Sequence, residues 1–149
     1  MNKKIDQLDR QFILFFRRHS ISILRYASGL VFVWFGALKL VGQSPVAELI
    51  GNTYPFLPQR EFMLALGMWE ALIGLGLIFK ISLRATLILL WLQMSGVFFA
   101  AVLAPQVFFV GRNPFLLTLE GEFLAKNLVL VAASLVVAGY EIGERNKKT

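Results

Sequence analysis

Residues 62–104 read FMLALGMWEALIGLGLIFKISLRATLILLWLQMSGVFFAAVLA, two apolar runs separated by a very short polar break. The runs cover about 62–79 and 83–104, and each is long enough to cross the ~30 Å hydrocarbon core of a bilayer as an α-helix. Because only residues 80–82 connect the runs, the two helices must be antiparallel neighbours. This stretch therefore predicts a transmembrane helical hairpin.

Two further apolar runs of this length lie at about 21–41 and 123–140, which makes four predicted spans. Of the 149 residues, 57% are hydrophobic and only 16% are charged, whereas soluble domains carry about 25% charged residues. This composition excludes a water-soluble enzyme, a disordered tail and a nucleic-acid-binding module, so the expected partner is the lipid bilayer and not nucleic acid. The predicted fold class is all-α: a polytopic membrane four-helix bundle with a short amphipathic N-terminal helix.

The predicted bundle, residues 21–140, is flanked by two segments that we expect in the cytoplasm. Residues 1–20 form the amphipathic helix, lying on the inner membrane surface, and residues 141–149 form a basic tail. Apolar side chains recur at helical spacing in the first segment, at Ile5, Leu8, Phe12 and Phe15. Most Lys and Arg residues lie in these two segments and in the short second connection. Since basic residues stay on the cytoplasmic side, both termini are predicted to be cytoplasmic.

The residue types present exclude several kinds of site. The chain has no cysteine and a single histidine, which excludes disulfides, thiolate metal ligands and a haem held by two of its own histidines. We therefore expect no metal site and no covalently bound cofactor. Any electron chemistry must come from a bound molecule or from a partner protein.

Small residues are spaced so that helices can approach closely along one face. The predicted packing positions are Gly29 and Gly36 in the first span, Gly67 and Gly74 in the second, and Gly96, Ala100 and Ala104 in the third. The third set forms two successive small-xxx-small steps, and we expect the tightest packing there.

Glu70 is the polar residue that lies deepest within a predicted span. It follows Gly67 by three residues and precedes Gly74 by four, so helical geometry places it on the glycine stripe that faces another helix. In the predicted orientation it lies roughly 12 Å below the outer surface. A charged side chain at such a depth costs about 3 kcal/mol on insertion scales. We therefore expect Glu70 to point into the bundle.

Other polar residues are expected to lie at the depth of Glu70 or to support the spans. Lys39 ends the first span, and the start of the fourth span brings further charges to the same outer half. Arg25 stands alone near the inner end. The residues assigned to ion pairs or to structural polar roles are Arg25, Gln93, Glu120, Glu122, Lys126 and Asn127.

Two interpretations of these polar residues remain open. In the structural one, Lys39 and Arg25 reach the headgroups, Glu122 pairs with Lys126, and Glu70 makes a hydrogen bond between helices or is protonated. In the functional one, a cavity opens toward the outer leaflet and binds a ligand. Its ligand-binding residues would be Phe32, Trp34, Lys39, Trp69 and Glu70. No catalytic residue is predicted, because no nucleophile lies at a usable spacing from a base.

The connection before the fourth span, residues 105–122, is unusually apolar for a loop. It either folds back over the bundle as a lid or rests on the headgroups. The same two alternatives apply to Tyr54, Pro55, Phe56 and Leu57 in the first loop.

Three stretches resemble a known family. Residues 24–40, with LRYASGLVFVWFGALKL, and residues 67–75, with GMWEALIGL, are similar to the first and second helices of the DoxX-like superfamily, most closely its YkgB branch. Residues 124–128 through Glu141 resemble the last helix of that branch. The resemblance implies a four-helix protein of the bacterial inner (plasma) membrane linked with the oxidant-stress response or with quinone-coupled oxidation. The family pattern falls on Arg25, Gly36, Lys39, Glu70 and Lys126.

The leading functional hypothesis is a non-catalytic or accessory component of an oxidant-stress or quinone-linked system, which binds a quinone or another lipophilic molecule. We expect no catalytic activity of the chain on its own. One alternative is a small proton-coupled transporter that uses Glu70 and would need a homodimer. Another is a scaffold that packs against a partner membrane subunit through the small residues of the third span.

Overall fold

The computed structural model of the protein describes residues 3–54 and 56–146, and these form helices and no strand. The helices are α1 (Lys3–Leu40), α2 (Ala47–Thr53), α3 (Gln59–Phe79), α4 (Leu83–Leu103), α5 (Pro105–Phe108) and α6 (Leu119–Asn146), with a 3-10 turn at Val110–Arg112. Pro55 and the end of the predicted basic tail, including Lys147 and Lys148, lie outside the described residues.

Four of the helices are long and apolar enough to cross a membrane. They contain the segments Gln7–Leu40, Gln59–Phe79, Leu83–Leu103 and Leu119–Ile142. The predicted all-α four-helix membrane bundle is therefore confirmed, and the chain is a multi-pass membrane protein. We call the end of the bundle with residues 41–58 and 104–118 the loop end, and the end with residues 80–82 the hairpin end.

The predicted N-terminal amphipathic segment is helical, and it continues into the first span without a break. Together they form α1, a helix of 38 residues, about 57 Å long at 1.5 Å per residue. Residues 7–20 are exposed along their whole length. The position of this segment on a membrane surface stays a prediction.

The backbones of α1 and α3 approach each other closely at four glycines. A Cβ added to Gly36 would lie 2.7 Å from the carbonyl oxygen of Gly67, and one added to Gly74 would lie 2.6 Å from that of Gly29. Distances this short leave no room for a side chain, so glycine is required at these positions. The packing role predicted for these four glycines is confirmed.

The expectation that the third span carries the tightest packing face is wrong. Ala100 of α4 and Ala104, the residue that caps its C-terminus, are buried as predicted. Gly96, however, is exposed, and a Cβ added to it would meet nothing within 4 Å. The reason is that the α4 face at this height borders a cavity instead of another helix.

The hairpin that joins α3 and α4 is closed by local backbone and side-chain contacts. Lys80 ends α3 in the left-handed region, with φ 56°, and its N–H donates to the carbonyl oxygen of Gly76. The Thr86 hydroxyl donates to the carbonyl oxygen of Ile81 at 2.8 Å. A side chain at Gly76 would collide with that of Thr86, so the two helices are in direct contact here.

Buried apolar side chains form two clusters, one on each half of the bundle. The cluster toward the hairpin end contains Phe32, Ile73, Leu77, Leu83, Leu87, Leu90, Met94 and Val137. The cluster at the loop end is smaller and contains Ala100, Ala101, Phe108 and Leu124. Most of the apolar burial therefore lies away from the loop end.

The apolar loop before α6 combines features of both predicted alternatives. Phe108 turns inward and is buried, whereas the side chain of Phe115 is 90% exposed. Thr118 fixes the start of α6, because its hydroxyl accepts the N–H of Gly121 at 3.1 Å and donates to the carbonyl oxygen of Val107 at 2.6 Å. The first part of this loop thus folds against the bundle, and its tip does not.

The glycine contacts of α1 and α3 can be tested by comparing Gly74→Ala with Gly139→Ala. The added methyl at position 74 meets backbone atoms of α1, so we expect a loss of about 1–3 kcal/mol in the free energy of unfolding. At Gly139 of α6 a Cβ meets nothing within 4 Å, so the same change should leave stability equal or slightly higher. Thermal unfolding in detergent measures both. Equal stability of the two variants would contradict the packing described here.

Candidate functional site

A cavity of about 690 Å³ lies at the loop end and is enclosed by residues from all six helices. Most of its wall is apolar, with side chains such as Leu49, Phe62, Trp69, Phe108 and Phe123. Its polar lining residues are Lys39, Thr53, Tyr54, Glu70 and Gln93. A cavity of this size and composition suits a small lipophilic molecule with one polar end.

The cavity exists because α3 extends farther toward the loop end than α1 does. Gly67 of α3 is level with Lys39 in the last turn of α1, since a Cβ added to Gly67 would lie 3.0 Å from that of Lys39. From Gly67 to its start at Gln59, α3 extends beyond α1 by eight residues, or roughly 12 Å. The short helix α2 covers this space, and the Gln59 side-chain amide ties α3 to it by donating to the carbonyl oxygen of Ala47 at 2.8 Å.

The central polar contact of the site joins Lys39 and Glu70. The Lys39 ammonium nitrogen lies 2.6 Å from Oε2 of Glu70, and the two side chains are only 5% and 9% exposed. Lys39 lies in the last turn of α1, where the helix dipole favours a cation. The prediction that Glu70 points into the bundle is therefore confirmed. The alternative that Lys39 reaches the headgroups is wrong, because the glycine contact holds it against α3.

Gln93 of α4 completes this network. Its Nε2 donates to Oε1 of Glu70 at 2.6 Å, so each carboxylate oxygen has a donor and the three helices α1, α3 and α4 meet at one carboxyl group. The amide oxygen of Gln93 is buried and has no hydrogen-bond partner among the described residues. Gln93 was predicted to be a structural polar residue, and the structure places it in the cavity wall beside Glu70.

Two of the five predicted ligand-binding residues lie outside the cavity. Trp34 is 64% exposed on the outside of α1, and Phe32 is buried in the cluster toward the hairpin end. Trp34 is five residues from Lys39, about 140° around the helix, and so faces away. Phe32 shares the face of Lys39 but lies seven residues, roughly 10 Å, closer to the hairpin end. Lys39, Trp69 and Glu70 line the cavity.

The fourth-span charges, which are predicted to lie in the same outer half as Glu70, do not join its network. Glu122 and Lys126 form an exposed ion pair at 3.6 Å along α6, which confirms the pairing but places it outside the site. Among the described contacts, no ion pair or hydrogen bond joins Glu120 to the network. Asn127 is buried in α6. Equal depth did not bring Glu122 and Lys126 to Glu70, because both side chains are exposed on the outside of α6.

The sequence predicts that Arg25 stands alone, but in the structure its side chain has several partners. Its side chain is 2% exposed, and Nη1 donates to the carbonyl oxygens of Leu77 and Ile78 at the end of α3. Its Nε lies 3.3 Å from Oε1 of Glu141, whose Oε2 accepts a hydrogen bond from Lys80 at 2.6 Å. These contacts tie α1, α3 and α6 together at the hairpin end.

Sequence analysis missed several residues that matter in the structure. Glu141 enters the sequence analysis only as the end of the stretch that resembles the last helix. Its position just after the fourth span, at the same end of the bundle as Arg25, could have indicated an ion pair between them. The α2 residues Leu49, Ile50 and Thr53 line the cavity, and no periodic pattern marked so short a helix. Tyr54 follows them, and burial raises the pKa of its phenol above the ordinary value, so this polar group of the wall is uncharged at neutral pH.

The described residues contain no group of three or more His, Cys, Asp or Glu side chains that could hold a metal ion. Comparison of the chain with protein-family models, with curated proteins and with solved structures finds no match. The fold and the site thus define a class in physical terms: a multi-pass helical membrane protein with an apolar cavity and a buried Lys–Glu–Gln network.

The Lys39–Glu70 pair can be tested by a double-mutant cycle with Lys39→Met and Glu70→Met. Each single change leaves an unpaired charge in the bundle, so we expect a loss of about 3–5 kcal/mol in the free energy of unfolding. The double variant should lose clearly less than the sum of the two. Lys126→Met removes an exposed cation instead and should have almost no effect. Additive losses in detergent unfolding would contradict a direct interaction.

Proposed function

We propose that this protein binds a lipophilic, membrane-resident molecule in the cavity at its loop end. The observation that carries the proposal is an apolar cavity of about 690 Å³ with one compact polar network in its wall. Apolar contacts would supply most of the affinity, and Lys39, Glu70 and Gln93 would orient the polar end of the ligand. The ligand is a quinone or another molecule of similar solubility.

The proposed route to the cavity is lateral, from the bilayer. Trp69 of α3 and Leu92 and Gly96 of α4 line the cavity and are also exposed on the outside of the bundle. They lie near the middle of the two predicted spans, at the depth of the lipid tails. A molecule dissolved in the bilayer could then pass between α3 and α4 without crossing water.

The wider role that we propose is that of a non-catalytic or accessory component of an oxidant-stress or quinone-linked system in the bacterial inner membrane. The similarity of residues 24–40, 67–75 and 124–141 to the YkgB branch of the DoxX-like superfamily supports this role. The chain has no cysteine, so any electron transfer would belong to the bound molecule or to a partner. A quinone ligand would fit this role.

The alternatives have less support from the geometry. The transporter hypothesis needs a free carboxylate, whereas both oxygens of Glu70 have donors. The scaffold hypothesis needs a free small-residue face on α4, whereas Ala100 and Ala104 are buried within the chain. The binding proposed here uses lining residues of one chain.

The test is mass spectrometry of the molecules that remain bound to protein purified in mild detergent. We expect one apolar molecule per chain. Gly96→Leu adds a side chain beside the proposed route and should lower the occupancy several-fold, whereas Gly139→Leu should retain it. Both glycines have open space around them, so neither change should impair folding. An unoccupied wild-type protein, or equal occupancy in the two variants, would contradict the proposal.

The proposed orientation, with both termini in the cytoplasm, has its own test. A fluorescent protein fused after Thr149 should fold and fluoresce, because it remains inside the cell. A periplasm-dependent phosphatase inserted after Gln43, at the loop end, should be active. A dark fluorescent fusion together with an inactive phosphatase would place the cavity on the cytoplasmic side.

A further inference from the structure

We infer that the Lys39–Glu70 pair makes the cavity selective for ligands whose polar end is an uncharged hydroxyl, over carboxylates or amines of the same size. The inference rests on the proposed function, since it takes the cavity to be a binding site. It adds the chemical class of the ligand and the residues that determine it.

The first step concerns the charge of the cavity wall. Lys39 and Glu70 are the charged residue types among those that line it, and their side chains lie 2.6 Å apart. An ammonium and a carboxylate in direct contact carry opposite charges that sum to zero. The wall therefore offers no net charge to neutralise an ionic ligand.

The second step concerns what an ionic ligand would have to do. A carboxylate ligand would either share Lys39 with Glu70, which puts two anions on one cation, or displace Glu70 and leave it unpaired in an apolar wall. An ammonium group would likewise either share Glu70 with Lys39 or leave Lys39 unpaired. Because a charge without a partner is costly in such surroundings, each ionic ligand is disfavoured relative to a neutral one of equal size.

The third step concerns the kind of neutral group. Gln93 must turn its Nε2 toward the Glu70 carboxylate, since only that atom can donate, and this leaves its amide oxygen as an acceptor without a partner. An unsatisfied buried acceptor is unfavourable. Because Gln93 lines the cavity, a ligand hydroxyl that reaches this oxygen can satisfy it, whereas an ether or an alkane has no hydrogen to donate.

The experiment measures equilibrium binding of four probes with one chain length to the purified full-length protein. The probes are 1-dodecanol, its methyl ether, dodecanoate and dodecylammonium, at pH 8, where both ionic probes in solution are charged. For the wild type we expect dodecanol to bind on the order of tenfold more tightly than either ion. It should also bind several-fold more tightly than the ether.

Two variants identify the residues responsible. Glu70→Gln leaves Lys39 as an unpaired cation, so the preference should invert in favour of dodecanoate. Glu122→Gln makes the same chemical change in an exposed pair outside the cavity and should keep the wild-type preference.

The outcomes separate this inference from the proposed function. Binding of all four probes with equal affinity, or tighter binding of dodecanoate to the wild type, would overturn the selectivity while leaving the cavity a binding site. Binding of none of the probes would remove both. If Glu70→Gln does not fold, the comparison of the four probes on the wild type still decides the inference.

Discussion

The close approach of α1 and α3 at two glycine pairs is the constraint on which the arrangement of this protein depends. Gly36 meets Gly67, and Gly29 meets Gly74, which fixes both the distance and the register of the two helices. That register places the last turn of α1 opposite the middle of α3, so Lys39 can reach Glu70 at 2.6 Å. A larger residue at these positions would move the charges apart, and each would then lie unpaired in an apolar environment.

The same register accounts for the cavity. Because α1 ends near the height of Gly67, the first two turns of α3 have no long neighbour on that side, and only α2 and the loop residues cover them. A seven-residue helix is too short to fill the space left by a missing span. The polar pair and the apolar cavity are therefore two consequences of one helix contact, and this explains why the charges lie in the cavity wall instead of elsewhere in the bundle.

The sequence predicts the position and depth of each residue in a span better than the side of the helix on which it lies or the helix that it contacts. Length and hydropathy predict the four spans, and the spacing of Glu70 between Gly67 and Gly74 predicts the face that it occupies. Depth along the membrane normal gives no information about the angle around a helix, so a prediction from depth groups Trp34, Glu122 and Lys126 with Glu70 although they are exposed on the outside of the bundle. A local sequence pattern also does not show which helix lies next to a given face. For this reason the pattern predicts a packing role for Gly96, which has open space around it, and gives no sign that Arg25 pairs with Glu141.

The two polar networks of the bundle differ in what surrounds them, and this difference bears on binding. Arg25 donates through Nη1 to backbone carbonyls of α3, and its Nε lies 3.3 Å from Oε1 of Glu141 in an ion pair without a hydrogen bond. These contacts lie next to the larger apolar cluster, so the hairpin end is closed by contacts within the chain. The Lys39–Glu70–Gln93 network adjoins a cavity and keeps one acceptor without a partner. Packing and polar contacts at the hairpin end can hold the helices together while the loop end accommodates a ligand. The glycine contacts that fix the register lie outside the cavity, so a ligand that enters between α3 and α4 does not have to disturb them.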